Sequence, residues 1–352
     1  MDPLVIVGSK VPKWGNVNLR LPSSQSSVHS LQYFVVEGDD YRDHFLELQP
    51  YAVVVTNIEY DHPDYFRDLE HTVESFRKLA EKVPENGFVA INEDDPGCQQ
   101  LQAEFFSSPI RANWRIEKYG QSCKIFGVLP LQVPGEFNRY NATAAATAAL
   151  ALGVPQEVVE QTAREFRGVW RRFEVVGTLF RHSEERGDEE SRGSKDGILH
   201  SAQDDSILVI SDYAHHPTAI RATMKAAREA YPGRRLVLVY QPHQHSRTKR
   251  LFNDFVEVLK DAADVVIVSE IYAVKGRMEE QDITSKDLIT AIKTSNLITQ
   301  EPNNLVLYGG DLEETKRVVL EHAQTSDIII FMGAGDIDQV ARDINKISTN
   351  TK

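Results

Sequence analysis

The sequence predicts an α/β protein of two domains, the second built on a parallel sheet wrapped by helices. Three observations carry this. Short Val- and Ile-rich runs alternate with longer amphipathic stretches, the rhythm of strand–helix–strand units. The residues with chemistry follow directly after the runs, where open parallel sheets hold ligands. The chain has 352 residues, room for about two domains at roughly 100–200 residues each.

The elements follow in order. Tyr51–Asn57 is short, continuous and Val-rich, a buried strand. Leu69 to Val83 places Val73, Phe76 and Leu79 on one helical face. Gly87–Asn92 is the next strand. Asn141 to Leu152 is Ala-rich and predicts a helix. Pro155 to Phe166 predicts another, with proline in its first turn. In the second half the strands are Ile207–Ile210, Leu236–Tyr240, Val265–Val268, Leu305–Leu307 and Ile328–Phe331. Helical patterns lie between them at Ala219–Ala230, Leu251–Ala262, Ser285–Ile292 and Leu312–Ala323. Residues 181–205 break the rhythm. Twelve of the 25 positions are charged, and only Ile198, Leu199 and Ala202 are apolar. Such a segment buries too little surface to offset its ordering entropy and predicts a disordered surface insertion.

Lys and Arg number 39 against 52 Asp and Glu, a net charge of −13. That argues against general nucleic-acid or acidic-membrane binding, though not against a small basic pocket. Two cysteines, Cys98 and Cys123, exclude a disulfide framework and a cysteine-rich zinc site. Met1–Gly8 has no basic leader region. No apolar run approaches the ~18–20 residues of a membrane helix, so the expectation is a cytoplasmic soluble protein.

Five groups of residues could carry chemistry, each beside a bland alternative. Val35-Val36-Glu37-Gly38-Asp39-Asp40 ends a strand in carboxylates, which suit Mg²⁺ or simply a solvated acidic loop. Thr56-Asn57-Ile58-Glu59-Tyr60-Asp61-His62 places His62 as ligand, base or structural residue. Asn138 and Asn141 share a face at a helix start, as a cap or as partners for a purine edge. Arg171 and Arg172, ahead of Glu174, suit a phosphate, a carboxylate or a surface ion pair. Four of the eleven histidines, His215, His216, His243 and His245, sit with Arg247 at two consecutive strand ends. A His-based zinc hydrolase is one reading of this group. An anion pocket explains the mixture of His and Arg better, because Arg247 would add positive charge beside a metal. No Gly-x-x-x-x-Gly-Lys-Ser/Thr phosphate loop occurs, and no Gly-x-Ser-x-Gly elbow. Gly333-Ala334-Gly335 lacks the third glycine of a dinucleotide fingerprint.

Taken in order, these motifs resemble the Mur ligases of peptidoglycan synthesis. The resemblance rests on Val36–Asp40, Thr56–His62, Asn138-Arg139-Tyr140-Asn141-Ala142, Arg171-Arg172-Phe173-Glu174, Asp212-Tyr213-Ala214-His215-His216-Pro217-Thr218, Gln241-Pro242-His243 with Ser246-Arg247-Thr248, and Gly333–Asp336. It covers nearly the whole chain outside 181–205. The Asp212–Thr218 and Gln241–Thr248 motifs together point to the member that adds L-alanine to UDP-N-acetylmuramate. A related muramyl peptide ligase and a non-catalytic nucleotide or amino-acid binding module are the alternatives.

The resemblance implies an ATP-binding central domain of the phosphate-loop type over residues 1–172, truncated at its start. A Rossmann-like, doubly wound domain over 173–352 would bring the amino acid. It also implies ATP and Mg²⁺ as cofactors and an acyl-phosphate route to the amide. Glu37 and His62 would hold Mg²⁺. Asn138 and Asn141 would face adenine, and Asp212 the ribose. Arg172 would meet the terminal phosphate, and Tyr213, His215, His243 and Arg247 would surround alanine and the reacting carboxylate. His216 is left between a supporting and a structural role. Phe137 stands where this member commonly has histidine, Gln244 where some have arginine, and the Cys123–Gly135 stretch is short. The UDP-sugar domain and the phosphate loop have no counterpart here. The chain alone is therefore expected to be inactive, with a less stable first half, unless a separate chain supplies them.

Overall fold

The structure is a computed structural model that describes residues 2–22, 33–62, 64–107, 115–125, 127–179, 206–274, 280–299 and 304–349. The charge-rich stretch 181–205 lies outside the described residues. The chain forms two compact units, residues 1–170 and 171–352.

The first unit holds two three-stranded sheets. In one, β1 (Leu4–Val11) is central, antiparallel to β2 (Val17–Arg20) and parallel to β3 (Phe34–Val36). Gly15 and Asn16, both at positive φ, turn the chain between β1 and β2. In the other sheet β4 (Ala52–Val55), β5 (Phe88–Asn92) and β6 (Arg115–Tyr119) run parallel in that order. Helix α1 (Leu69–Ala80) is capped by Asp68, whose carboxylate accepts the His71 N–H at 2.8 Å. It ends three residues before the expected Val83. Helix α2 (Pro96–Ser107) has no counterpart in the sequence pattern; Leu101 and Phe105 are its buried large apolar residues among those described. Val53, Val55, Val73, Leu79, Val89, Ile91 and Leu101 make the core between α1, α2 and this sheet. Helix α3 (Glu136–Ala151) begins five residues before the Ala-rich stretch, and α4 (Gln156–Glu165) follows.

The second unit is a six-stranded sheet. β7 (Glu174–Leu179) pairs antiparallel at one edge with β8 (Ile207–Asp212). The parallel strands are β8, β9 (Leu236–Tyr240), β10 (Val265–Ser269), β11 (Leu305–Gly310) and β12 (Ile328–Met332), in the order β11-β10-β9-β12-β8-β7. Helices α5 (Pro217–Ala230), α6 (His245–Arg250), α7 (Phe252–Leu259), α8 (Ser285–Thr299), α9 (Leu312–His322) and α10 (Ile337–Thr349) connect or follow the strands. The helix expected over Leu251–Ala262 is α7, and the short α6 that meets it at Leu251 lies before the expected range. Every residue of β8, β9, β10 and β12 is buried, as expected for parallel strands covered on both faces. Each large side chain enclosed this way contributes about 1.5–3 kcal/mol. This is the doubly wound architecture expected for the second half. Because β12 was placed between β8 and β9, the chain reverses direction of progress there, the position where such sheets open a crevice.

Candidate functional site

Register decides what meets at the strand tips. Met332 pairs with Asp212 on one side and with Tyr240 on the other. The segments that follow, Tyr213–His216, Gly333–Asp336 and Gln241–Gln244, therefore leave the sheet side by side. Gln241 joins two of them: its side-chain N–H donates to Asp336 at 2.7 Å, and its carbonyl oxygen accepts the Ile337 N–H at 3.1 Å.

The aromatic and cationic groups of these segments form a row. The His215 and His243 ring centroids are 5.6 Å apart, and Tyr213 meets His215 edge-on at 5.4 Å. The Arg172 and Arg171 guanidinium carbons stand 5.3 and 5.0 Å from the Tyr213 centroid, within cation–π range. At the other end Tyr272 stacks on His243 at 5.5 Å and 15°. Arg247, on α6, is only 3% exposed. His216 is the N-cap residue of α5. His245 turns to the Ile283 carbonyl, 2.9 Å from its Nδ1, and so leaves the row.

Arg172 is aimed by a turn held from several sides. Its neighbours Arg171 and Phe173 both adopt left-handed φ, 55° and 51°, a conformation that costs a non-glycine residue on the order of 1 kcal/mol and persists only where surroundings enforce it. The Arg171 N–H donates to Glu174 at 2.9 Å, and the Phe173 N–H to Asp212 at 2.7 Å. The Arg171 carbonyl accepts from Tyr213, and its buried guanidinium donates to the carbonyls of Gly333 and Gly335. Arg171 is thus interior and structural, while Arg172 is exposed. The surface ion pair weighed for Glu174 exists, but with Arg342 at 2.8 Å.

Asp212 is 3% exposed, and its two oxygens accept the amides of Phe173 and Ala214 at 2.7 and 2.8 Å. Burial holds its carboxyl above the usual range, against the pull of the two amides. It organises this end of the sheet; any ligand contact must use the lone pairs those bonds leave.

In the first unit, Glu37 is exposed and accepts the Gly8 N–H at 2.6 Å. A Cβ at Gly8 would stand 3.1 Å from both Glu37 oxygens, so glycine permits this approach. His62, at φ 52°, places Nε2 at 3.6 Å from Asp40 and packs against the Tyr41 ring at 4.9 Å. Asp40 closes the same acidic motif that carries Glu37. Among the described residues no group of three or more His, Cys, Asp or Glu gathers as a metal cage. Neither asparagine caps α3. Its N-cap is Gly135, and the Asn138 amide donates to the Pro134 carbonyl at 2.6 Å, while Asn141 is exposed one turn on.

Tyr272 is the residue that sequence reasoning missed here. It follows the tip of β10, and the rule that ligands gather beyond parallel strand ends, applied to a third tip, would have raised it.

Comparison with known proteins gives the family and the fold. Residues 16–149 match the Mur ligase middle domain, and residues 199–335 match the Mur ligase, glutamate ligase domain. The UDP-N-acetylmuramate–L-alanine ligase of Desulfitobacterium hafniense (strain Y51) is 32% identical over 359 residues, covering 98% of this chain and 71% of that protein. The enzyme of the same name from Caldanaerobacter subterraneus is 32% identical over 96% of this chain and 68% of its own length. Among solved structures, the UDP-N-acetylmuramate-alanine ligase MurC of Thermotoga maritima superposes with TM-score 0.67 at 21% identity, covering 100% of this chain and 70% of that one. A murein peptide ligase from Psychrobacter arcticus follows at TM-score 0.62 and 17% identity, covering 99% and 72%. The structural likenesses show the fold, and the sequence relatives show the family: the chain belongs to the Mur ligases.

Proposed function

We propose that this protein performs the chemistry of an L-alanine-adding Mur ligase, joining the carboxylate of UDP-N-acetylmuramate to the amino group of L-alanine in peptidoglycan synthesis, at the expense of ATP. The observation that carries this is the row of His215, His243 and Tyr213 at adjoining strand tips, with the guanidinium of Arg172 at one end. Relatives named for that reaction align over nearly the whole chain.

The reaction has two steps. A substrate carboxylate oxygen attacks the γ-phosphorus of ATP, and the bond to ADP breaks. The alanine nitrogen then attacks the acyl carbon, phosphate leaves, and the proton lost from the ammonium passes to a base. Arg172, exposed and supported by the Tyr213 ring, meets the transferring phosphoryl group, whose developing charge a fixed guanidinium stabilises. Arg247 binds the alanine carboxylate, a pairing a guanidinium makes bidentately. His215 and His243 flank the amine, and an imidazole suits proton acceptance near neutral pH. Tyr213 lies between Arg172 and His215. Asp212 is the candidate for the ribose in the second unit, and Asn138 and Asn141 are the candidates for a purine edge in the first. His216 supports its neighbour from the start of α5.

For Mg²⁺ the donor set is mixed. Mg²⁺ binds through one or two carboxylates, waters and substrate phosphates, so exposed Glu37 fits. His62, a nitrogen donor, fits less well, and the carboxylate of Asp40 beside it supplies the oxygen that Mg²⁺ prefers. Glu37 and His62, with Asp40, are the residues that would hold the ion. When bound it would neutralise phosphate charge.

The 352 residues contain no Gly-x-x-x-x-Gly-Lys-Ser/Thr loop, the element whose amides and lysine cradle phosphates. ATP turnover therefore needs that loop from outside these residues, in a separate chain or in sequence joined to them. No helix among the described residues is long and apolar enough to cross a membrane, and a cytoplasmic reaction fits its need for ATP. Phosphate release with UDP-N-acetylmuramate and a panel of amino acids tests the proposal, with the loop-bearing part supplied. L-alanine should support release far better than glycine, L-serine or D-glutamate, and the 352 residues alone should give only background. Equal rates across the panel, or release by the chain alone, would sink it.

A further inference from the structure

His243 is bridged and stacked by one neighbour, Tyr272. Two hydrogen bonds bracket the histidine: the Tyr272 N–H donates to the Pro242 carbonyl at 2.8 Å, and its carbonyl accepts the Gln244 N–H at 2.9 Å. The two residues form a parallel bridge between the segments after β9 and β10. This fixes the two backbones, and the rings then lie nearly parallel, 15° apart with centroids at 5.5 Å. Gln244, at φ 68°, bends the chain immediately after the histidine.

The tyrosine ring is held against the glycine loop as well. A Cβ on Gly335 would stand 2.6 Å from Tyr272 Cγ and 2.7 Å from Cδ2, closer than any such contact in a relaxed structure. The missing side chain of Gly335 is the space the ring shares with the Gln241 side-chain oxygen, which would stand closer still to the same Cβ. The Gly335 backbone cannot retreat easily, because its carbonyl accepts from the interior guanidinium of Arg171 at 2.9 Å. Three strand tips thus converge on one wedge: Gly335 after β12, Tyr272 after β10, His243 after β9.

We propose that Tyr272 is a positioning residue for the amino-acid pocket: its ring, seated against Gly335, sets the plane in which His243 faces His215. This rests on the reading of His243 as part of the L-alanine site. The χ2 torsion of a histidine is broad and two-fold, so backbone placement leaves the ring plane open, and a stacked neighbour is what closes that freedom. The contact uses the face of the ring, so the tyrosine hydroxyl is not required.

The test compares Tyr272→Leu, which removes the aromatic face, with Tyr272→Phe, which keeps it. In proton–carbon spectra of histidine-labelled protein, the His243 ring signals should move downfield in Y272L, with loss of the stacked ring current, and stay in place in Y272F. The affinity for L-alanine by calorimetry should weaken about 3- to 10-fold in Y272L, the range a stacked aromatic pair supports, and be retained in Y272F. Gly335→Ala leaves the tyrosine present but crowds its ring, so it should move the same signals. That variant keeps the proposal testable if Y272L folds poorly. Unmoved His243 signals in Y272L and G335A overturn the proposal, as does a Y272F that loses affinity like Y272L. If the wild-type protein takes up no L-alanine, the functional reading falls, while the spectra still decide whether Tyr272 holds His243.

Discussion

The Asp212 carboxylate accepts the Phe173 N–H at 2.7 Å, tying the turn that carries Arg172 to the tip of β8. A second oxygen holds the Ala214 N–H at 2.8 Å, just before His215. One buried carboxyl therefore registers the phosphate end of the row with its histidine end.

This bond predicts a pH dependence. Burial raises the Asp212 pKa in the folded state. The folded protein then holds a proton that the unfolded chain, with an ordinary aspartate near 4, has released. Stability contributed by this group is fully present below about pH 4 and is lost as the pH rises through the raised folded value. Thermal unfolding followed upward from pH 4 should show this downward slope in the wild type and a flatter course in Asp212→Asn. Asp212→Ala, which leaves two amides without their acceptor, should cost about 1–3 kcal/mol at neutral pH. Identical pH profiles for wild type and D212N would refute the assignment.

Arg171 and Arg172 are adjacent and of one type, yet their replacement should give opposite signatures. Arg171→Met strips the donors from the Gly333 and Gly335 carbonyls and should lower stability by about 1–3 kcal/mol in urea unfolding. Arg172→Met touches an exposed side chain and should fall within about 0.5 kcal/mol of wild type, while reducing phosphoryl transfer at least tenfold in the complemented reaction. A destabilised R172M with intact turnover would reverse the two roles.

The difference between those arginines marks where the sequence stops being legible. Spacing and residue type singled out the pair, and strand periodicity placed β9 at Leu236–Tyr240 to the residue. The buried parallel strands are readable because both faces demand apolar residues. The asparagines at α3 are a harder case, since a capping residue and a first-turn residue look alike until the backbone shows that Gly135 starts the helix. Tyr272 carries no motif, and its importance comes from register between β9 and β10. Strands β1 and β2 escaped for a related reason: one residue of β1 and none of β2 is buried, so no burial pattern marks them, while β3, expected as a buried strand ending at Val36, is present but exposed.

Arg247 should prove essential for the amino acid rather than for the fold of the sheet. Lysine keeps the charge but presents a point donor instead of a planar fork. Hydrogen bonds to charged groups are worth about 1.5–3 kcal/mol, so Arg247→Lys should weaken L-alanine binding about 10- to 100-fold by calorimetry. An affinity within about two-fold of wild type would remove Arg247 from the site.

The two units should also differ in their resistance to opening. In the first, β3 and β4 are edge strands of separate sheets, and apolar side chains stay in solvent: Phe34 is 54% exposed, Val35 48%, Leu19 42% and Val54 42%. Among the described residues no strand pairs with the outer edge of β3 or β4, which leaves a template for a further strand, and exposed apolar surface forgoes about 25 cal/mol per Å² of burial. In the second unit, strands β8, β9, β10 and β12 are wholly buried. Amides of β1, β3 and β4 should therefore exchange with solvent through local opening, orders of magnitude faster than those of β8, β9 and β12, which should need global unfolding of their unit. Supplying the loop-bearing part should slow exchange at β3 and β4 while leaving β8 to β12 unaffected. Equal protection in the two units of the chain by itself would contradict the view that the first is held short of its full set of contacts.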